Sequence, residues 1–473
     1  MSMNRRRFLS SASSAGAVSF AGSAGLLTAL GNSKAYAADM SGYKALVCLF
    51  FFGGQDAHDT VLPFDQSSYD GYAALRSGLF SDYAAQAGGS SRERARLREL
   101  APTNAAEFGG RQFALPEALD PLKALFDSGN AAIIGNVGPL IEPMVRSDFN
   151  QGIKTQPQRL FSHNDQQSTW MSSSPEGETL GWGGRLVDNI AGQTPIFSAI
   201  STFGNTVFLS GQTTTQFALS TSGPPEVSRL RNNNNGLLGP ASGSDAAAQL
   251  LIDQYKDVRA IRSNLYEKDS AAVAERAFSS NEAYRGALDN AVALETAFPS
   301  SRLGAQLGAV AEAISIRGSL NMSRQVFFVG MGGFDTHDNQ AEDLTLLHTD
   351  YAASIAAFYA ATQELGIEND VTLFTGSDFG RSLVGNGNGT DHGWGAHHFV
   401  VGGAVNGNHI YGDIPPYATG HAHDAGNGRL IPNVSVEQYA ATLGKWYGLT
   451  DTELTSVFPS LVNFAQKDLG FMV

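Results

Sequence analysis

Three apolar runs, each ending in glycine or a short polar turn and then in acid, predict an α/β protein built on a mainly parallel sheet. The runs are Ala45 to Phe52 (ALVCLFFF), Gln325 to Val329, and Val371 to Phe374. Unbroken apolar strands suit a sheet covered on both faces, because neither side of such a strand can face water. The first run leads into Gly53-Gly54-Gln55-Asp56-Ala57-His58-Asp59. The second leads through glycines into Phe334-Asp335-Thr336-His337-Asp338, and the third into Thr375-Gly376-Ser377-Asp378. In a parallel sheet these C-terminal ends share one edge, where open α/β folds place their sites.

The chain opens with an address. Arg5-Arg6-Arg7-Phe8-Leu9 has the form of a twin-arginine signal, followed by a weakly apolar stretch from Ala12 to Leu30 and the cleavage pattern Ala35-Tyr36-Ala37. Its Gly and Ser content makes it a poor membrane span, and no cysteine stands at the cleavage point to carry a lipid. The expectation is export by the twin-arginine translocase and removal of residues 1–37, leaving a periplasmic or secreted protein. No later stretch is long and apolar enough to cross a bilayer. Loss of the signal's four basic residues takes the formal charge from −14 to −18, which argues against nucleic acid or anionic membrane as partner. Cys48 is the one cysteine, so no intramolecular disulfide and no cysteine-rich metal motif can form.

Residues 42–473 read as one domain. Arg92 to Glu99 reads as a charged helical face in solvent. Leu119 to Phe126 reads as a helix feeding a strand over Ala131 to Val137. Ser162, in Phe161-Ser162-His163-Asn164-Asp165, stands three residues before an acid at a helix start. That is the pattern of a capping box, and equally of a nucleophile placed at the positive end of a helix. Residues 213–320 read as an insertion: a Ser/Thr/Gly/Asn-rich loop over Thr213 to Asp245, then helical periodicity from Ala246 to Leu320. A long helix is expected over Gln340 to Leu365, capped by Asp335 or Asp338.

The densest stretch is Ser377 to His398, SDFGRSLVGNGNGTDHGWGAHH. It brings Asp378, Asp391, His392, His397 and His398 into one glycine-rich loop, although His397 and His398 can equally begin the next strand. Asp335 and His337, two apart, can both reach one ion from an extended turn. Arg381 can clamp an anion or form a salt bridge.

The segments FFGGQDAHDTVLP, FSHNDQQSTW, GWGGRL, GGFDTHDNQ, TGSDFGRS, GTDHGWGAHH and RLIPNVSVEQYAATLGKWYG identify the chain as a member of the family catalogued as domain of unknown function 1501. The family in turn resembles the alkaline phosphatase and sulfatase superfamily. The resemblance implies a three-layer α/β sandwich with one or two divalent metals at the sheet edge, zinc, calcium or manganese. Asp56 resembles the first-strand ligand, Asp335 and His337 the mid-chain pair, TGSDFG with Asp378 the later ligand turn, and His392 the late histidine. Ser162 falls where the nucleophile would come. Phe379 departs from the pattern, standing where a ligating histidine would be. Asp391, His397 or His398 can compensate.

The implied activity is hydrolysis of phosphate or sulfate esters, small or polysaccharide. A formylglycine sulfatase is not expected, because Cys48, Ser173 and Ser222 all lack the required x-Pro-x-Arg context. The competing class is a secreted binding protein that keeps the fold without catalysis. Trp170, Trp182 and Trp394 stand beside site segments, where they can stack on a sugar or fill the core.

Overall fold

The computed structural model describes residues 42–473, apart from 88, 90, 191–194, 224–263 and 290. The signal segment, and the insertion's loop and first helical stretch over 224–263, lie outside the described residues.

The centre of the fold is strand β1, Lys44–Phe51, whose residues from Ala45 onward are all buried. It is flanked in parallel by β5, Arg324–Met331, and β6, Val371–Ser377. The other strands of this sheet are β2 (Ala131–Gly138), β3 (Ala199–Ser201), β4 (Phe217–Ala218), β7 (Ala396–Val401), β8 (Ile410–Gly412) and β9 (Val434–Ser435). Their order is β8-β2-β7-β6-β1-β5-β3-β4, with β9 also on β2. Only β7 runs against its neighbours β2 and β6. The sheet is therefore mainly parallel, as the apolar runs predict.

Alternation along β1 decides which side chains face which layer. Ala45, Val47, Leu49 and Phe51 join one core cluster, while Leu46, Cys48 and Phe50 join another. Helix α2 (Arg302–Ser315) and helix α3 (Gln340–Glu364) close the first side. Helix α4 (Val436–Tyr447) and its neighbours close the second. Helix, sheet and helix make three layers. Trp170, Trp182 and Trp394 are all core residues, each 2% exposed or less.

Register puts the site in place. Phe51 stands level with Met331 on one side and with Ser377 on the other. The segments that carry Asp335 and Asp378 therefore leave one edge at one height. Within the insertion, Leu265–Leu288 and Arg302–Ser315 are helical, but 291–299 has no regular structure.

Two local expectations are corrected. The run from Arg92 is not a solvated helical face: Arg92 is 1% exposed and its Nε donates to Asp59 at 2.7 Å, while Arg98–Glu99 is a short strand. Neither Asp335 nor Asp338 caps α3. Asn339, at φ 50°, occupies the cap position without a side-chain capping bond, and Asp335 is bonded instead to Arg381 at 2.7 Å.

Candidate metal centre

Four side chains from three segments meet at the sheet edge. Asp335 and His337 come from the turn after β5, His392 from a two-stranded ribbon (Arg381–Gly385 with Thr390–His392), and His163 from the first position of helix α1, His163–Ser172. Asp335 Oδ1 lies 3.2 Å from both His337 Nε2 and His392 Nε2, and those two nitrogens are 2.8 Å apart. His163 Nε2 lies 3.4 Å from Asp335 Oδ2. One donor atom each from His163, Asp335 and His392 falls within 4.8 Å of the others. Donors around a tetrahedral ion at about 2.0–2.1 Å stand about 3.3 Å apart, so this spacing suits a metal.

Two of the three histidines, His163 and His392, are turned the right way for that. A ring whose Nδ1–H is held by an acceptor presents a lone pair at Nε2. His163 Nδ1 is 2.7 Å from Asp378 Oδ2, and His392 Nδ1 is 2.8 Å from the Phe161 carbonyl. His337 Nδ1 faces Asp391 Oδ1 at 3.6 Å, beyond hydrogen-bond distance. His163 Nε2 is buried with no hydrogen-bond partner. A buried nitrogen aimed into a set of imidazoles and a carboxylate fits an ion. Asp378 Oδ2 is braced in turn by Gly53 N–H at 3.2 Å and Gln167 Nε2 at 2.9 Å.

Electrostatics follow the same partners. The bond to Asp378 raises the His163 pKa, against the opposing effect of burial. Burial lowers that of His392. Burial alone would raise Asp335, but the Arg381 hydrogen bond and charge, with His163 and His337, outweigh it and hold the carboxyl below its ordinary range. Asp335 is thus an ionised donor at neutral pH.

Packing explains Phe379 and the paired glycines. The buried Phe379 ring lies 4.8 Å from the His163 ring and 4.6 Å from that of His392, forming an apolar wall against both imidazoles. A Cβ on Gly54 would meet that ring at 2.5 Å, and one on Gly53 would meet the Asp335 backbone nitrogen at 2.3 Å. Both glycines also have positive φ. Phe161, at φ 70°, is strained for an aromatic residue, and its carbonyl is the one that orients His392.

The remaining sequence candidates fall outside this group. Asp56 is not a ligand here: Arg76 takes both its oxygens at 2.6 and 3.0 Å, and Gln340 Nε2 adds a bond at 2.7 Å. His397 lies inside β7, where its Nδ1 accepts from Asn136 N–H at 2.9 Å and burial pushes its pKa down to about 3. Both histidines of the pair His397-His398 belong to the strand. Arg381 is no clamp on a solvent-borne anion. Its side chain is fully buried and bonds Asp335 at 2.7 Å, Gly53 O at 3.1 Å, and Thr390. Ser162 occupies the cap position, but its hydroxyl donates to Asp165 Oδ2 at 2.8 Å and caps nothing. Asp378 and Asp391 lie behind the imidazoles, on their Nδ1 sides.

His163 was the residue that sequence reasoning passed over. Its signal was a histidine at the first helical position, beside Ser162. Its partner Asp378 is 215 residues away and invisible locally.

These observations define an α/β protein with a histidine- and aspartate-lined candidate metal centre at the C-terminal edge of its sheet. The chain belongs to the family described as protein of unknown function (DUF1501), whose model matches residues 43–458. No curated protein matches it. Among solved structures, the lipoteichoic acid synthase LtaP from Listeria monocytogenes is similar at 9% identity and a TM-score of 0.23, over 79% of this chain and 67% of that chain. A likeness at that level says nothing of shared chemistry.

Proposed function

We propose that the protein is an exported, metal-dependent hydrolase of phosphate or sulfate esters. The observation that carries this reading is the convergence of His163, Asp335, His337 and His392, with Nδ1 of His163 and of His392 held by an acceptor. Imidazole-rich donors favour zinc over calcium, which takes about six to eight oxygens. Bound there, a divalent ion would neutralise the ester's charge and acidify a hydroxyl. The chain's own residues hold and orient: Asp378 and the Phe161 carbonyl fix two rings, Arg381 keeps Asp335 ionised, and Phe379 keeps water from the inner side. The sequence resemblance to the alkaline phosphatase and sulfatase superfamily supports the choice of ester.

A second reading, a secreted binding protein that keeps the metal without turnover, is favoured by Ser162, whose hydroxyl is committed to Asp165. A panel of phosphomonoester, phosphodiester and sulfate-ester substrates, with and without chelator, separates the two. Chelator-sensitive turnover of one class supports the hydrolase, and bound metal with no turnover of any class supports the binding protein. Export rests on Arg5-Arg6-Arg7 before Phe8-Leu9 and on the Ala37 cleavage pattern. Replacing the three arginines by lysine should leave the protein in the cytoplasm. Mature protein outside the cytoplasm in that variant would refute the route. Among the described residues, no helix is long and apolar enough to cross a membrane.

A further inference from the structure

We infer that Gln340 is the residue that sets the spacing of the centre's ligands. It ties the Asp335–His337 turn to the ribbon that carries His392, and anchors both on Asp56, a fixed point of the fold. The inference rests on the metal-centre reading above and names a positioning residue for it, one that is not itself a ligand.

Gln340 opens helix α3 and is wholly buried. Its partners fix which way the amide faces. Asp56, paired with Arg76, offers only acceptors, so the Gln340 NH2 must face it, 2.7 Å from Oδ2. The amide oxygen is left for the other side, where it accepts from two hydroxyls, Thr390 Oγ1 at 2.6 Å and Thr336 Oγ1 at 3.1 Å. Thr336 stands between Asp335 and His337, and Thr390 stands two residues before His392. One acceptor thus holds both ligand-bearing segments. The main chain reinforces the tie: Thr390 N–H donates to the Thr336 carbonyl, and Gln340 N–H donates to the Asn388 carbonyl in the turn of the ribbon, each at 3.0 Å.

The series of bonds runs on to a ligand. With its proton given to Gln340, Thr390 Oγ1 keeps a lone pair for Arg381 Nε at 3.3 Å, and Arg381 Nη1 donates to Asp335 Oδ1 at 2.7 Å. Asp56, Gln340, Thr390, Arg381 and Asp335 therefore form one series from the interior to the centre, with the direction of every bond set by its neighbours. Without the amide, the hydroxyls of Thr336 and Thr390, both buried, lose the acceptor they share. Asp56 meanwhile keeps both its bonds to Arg76 and the one from His58 N–H at 3.0 Å. Removal of the amide thus strikes the centre while the Asp56–Arg76 pair stands.

The test uses the full-length protein loaded with cobalt(II), whose visible absorption bands report the arrangement of its ligands. Zinc affinity by competition and melting temperature are measured on the same preparations. Gln340→Leu, close in size but without the amide, should lower zinc affinity about tenfold to a hundredfold and shift the cobalt bands. Thr390→Val should do the same, and Thr390→Ser, which keeps the hydroxyl, should hold the unaltered affinity and bands. Because both substitutions break one series of bonds, the double variant Gln340→Leu with Thr390→Val should lose less than the product of the two separate losses. A lowered melting temperature in Gln340→Leu, with zinc affinity and cobalt bands unchanged, makes Gln340 a packing residue and overturns the inference while leaving the metal centre standing. If Gln340→Leu fails to fold, a Thr390→Val protein that matches Thr390→Ser in affinity and bands overturns it instead. An unaltered protein that takes up neither cobalt nor zinc brings down the centre and the inference together.

Discussion

At the scale of single residues, the centre depends on what stands behind the donors. Asp378 exposes nothing to solvent, yet it decides which nitrogen of His163 carries the proton. An amide at that position can present its NH2 to Nδ1, which moves the proton to Nε2 and removes the lone pair aimed at the ion. Asp378→Asn should therefore lower zinc affinity about 10–100-fold, measured by competition with a chromogenic chelator, while circular dichroism stays unchanged. Unaltered zinc affinity would show that the Asp378–His163 bond does not orient a ligand. Asp56 shows the opposite case. It is also a buried acid at a strand end, but its charge is matched by Arg76 at 2.6 Å, so it serves the fold.

At the scale of elements, the strands were legible because an apolar run buried on both faces leaves a plain mark in sequence. The edge was legible too, because parallel strands that end in acid must end together. Asp335 and His337 stand out by that argument, and His392 by the density of histidines between Ser377 and His398. What stayed hidden was pairing across distance. Asp56 and Arg76 are 20 residues apart, and Asp59 and Arg92 are 33 apart, and a charge reads the same whether it meets a metal or a partner. His163 was hidden for the same reason. For His397 the sequence leaves loop and strand both open, and the strand is what forms. Helix α4 offers a prediction of its own. Glu437, in its first turn and 5% exposed, has its carboxyl pushed up by burial from an ordinary value of 4.5 to about 6. A raised carboxyl pKa means the folded state holds that proton more tightly. Its contribution to stability is therefore greatest at low pH and is lost as pH rises from about 4.5 to about 6. Glu437→Gln should remove that slope, leaving the variant more stable than the unaltered protein above pH 6 by about 2 kcal/mol. Melting curves that run parallel across the window would contradict it.

At the scale of the whole molecule, a three-layer sandwich supplies the rigidity the centre needs. β1, β5 and β6 are locked in register through Phe51, and the Gly53-Gly54 turn lets the Asp335 backbone and the Phe379 ring close in. The fold thus brings together donors that the chain separates by more than two hundred residues, and the central claim is that they hold one divalent ion. The most direct measurement is elemental analysis of purified protein after dialysis against trace zinc, set beside Asp335→Ala and His392→Ala variants that keep the native circular dichroism spectrum. The account predicts close to one zinc per chain in the unaltered protein and a loss of at least tenfold in affinity in each variant. No bound metal in the unaltered protein, or full occupancy in folded variants lacking Asp335 or His392, would contradict it.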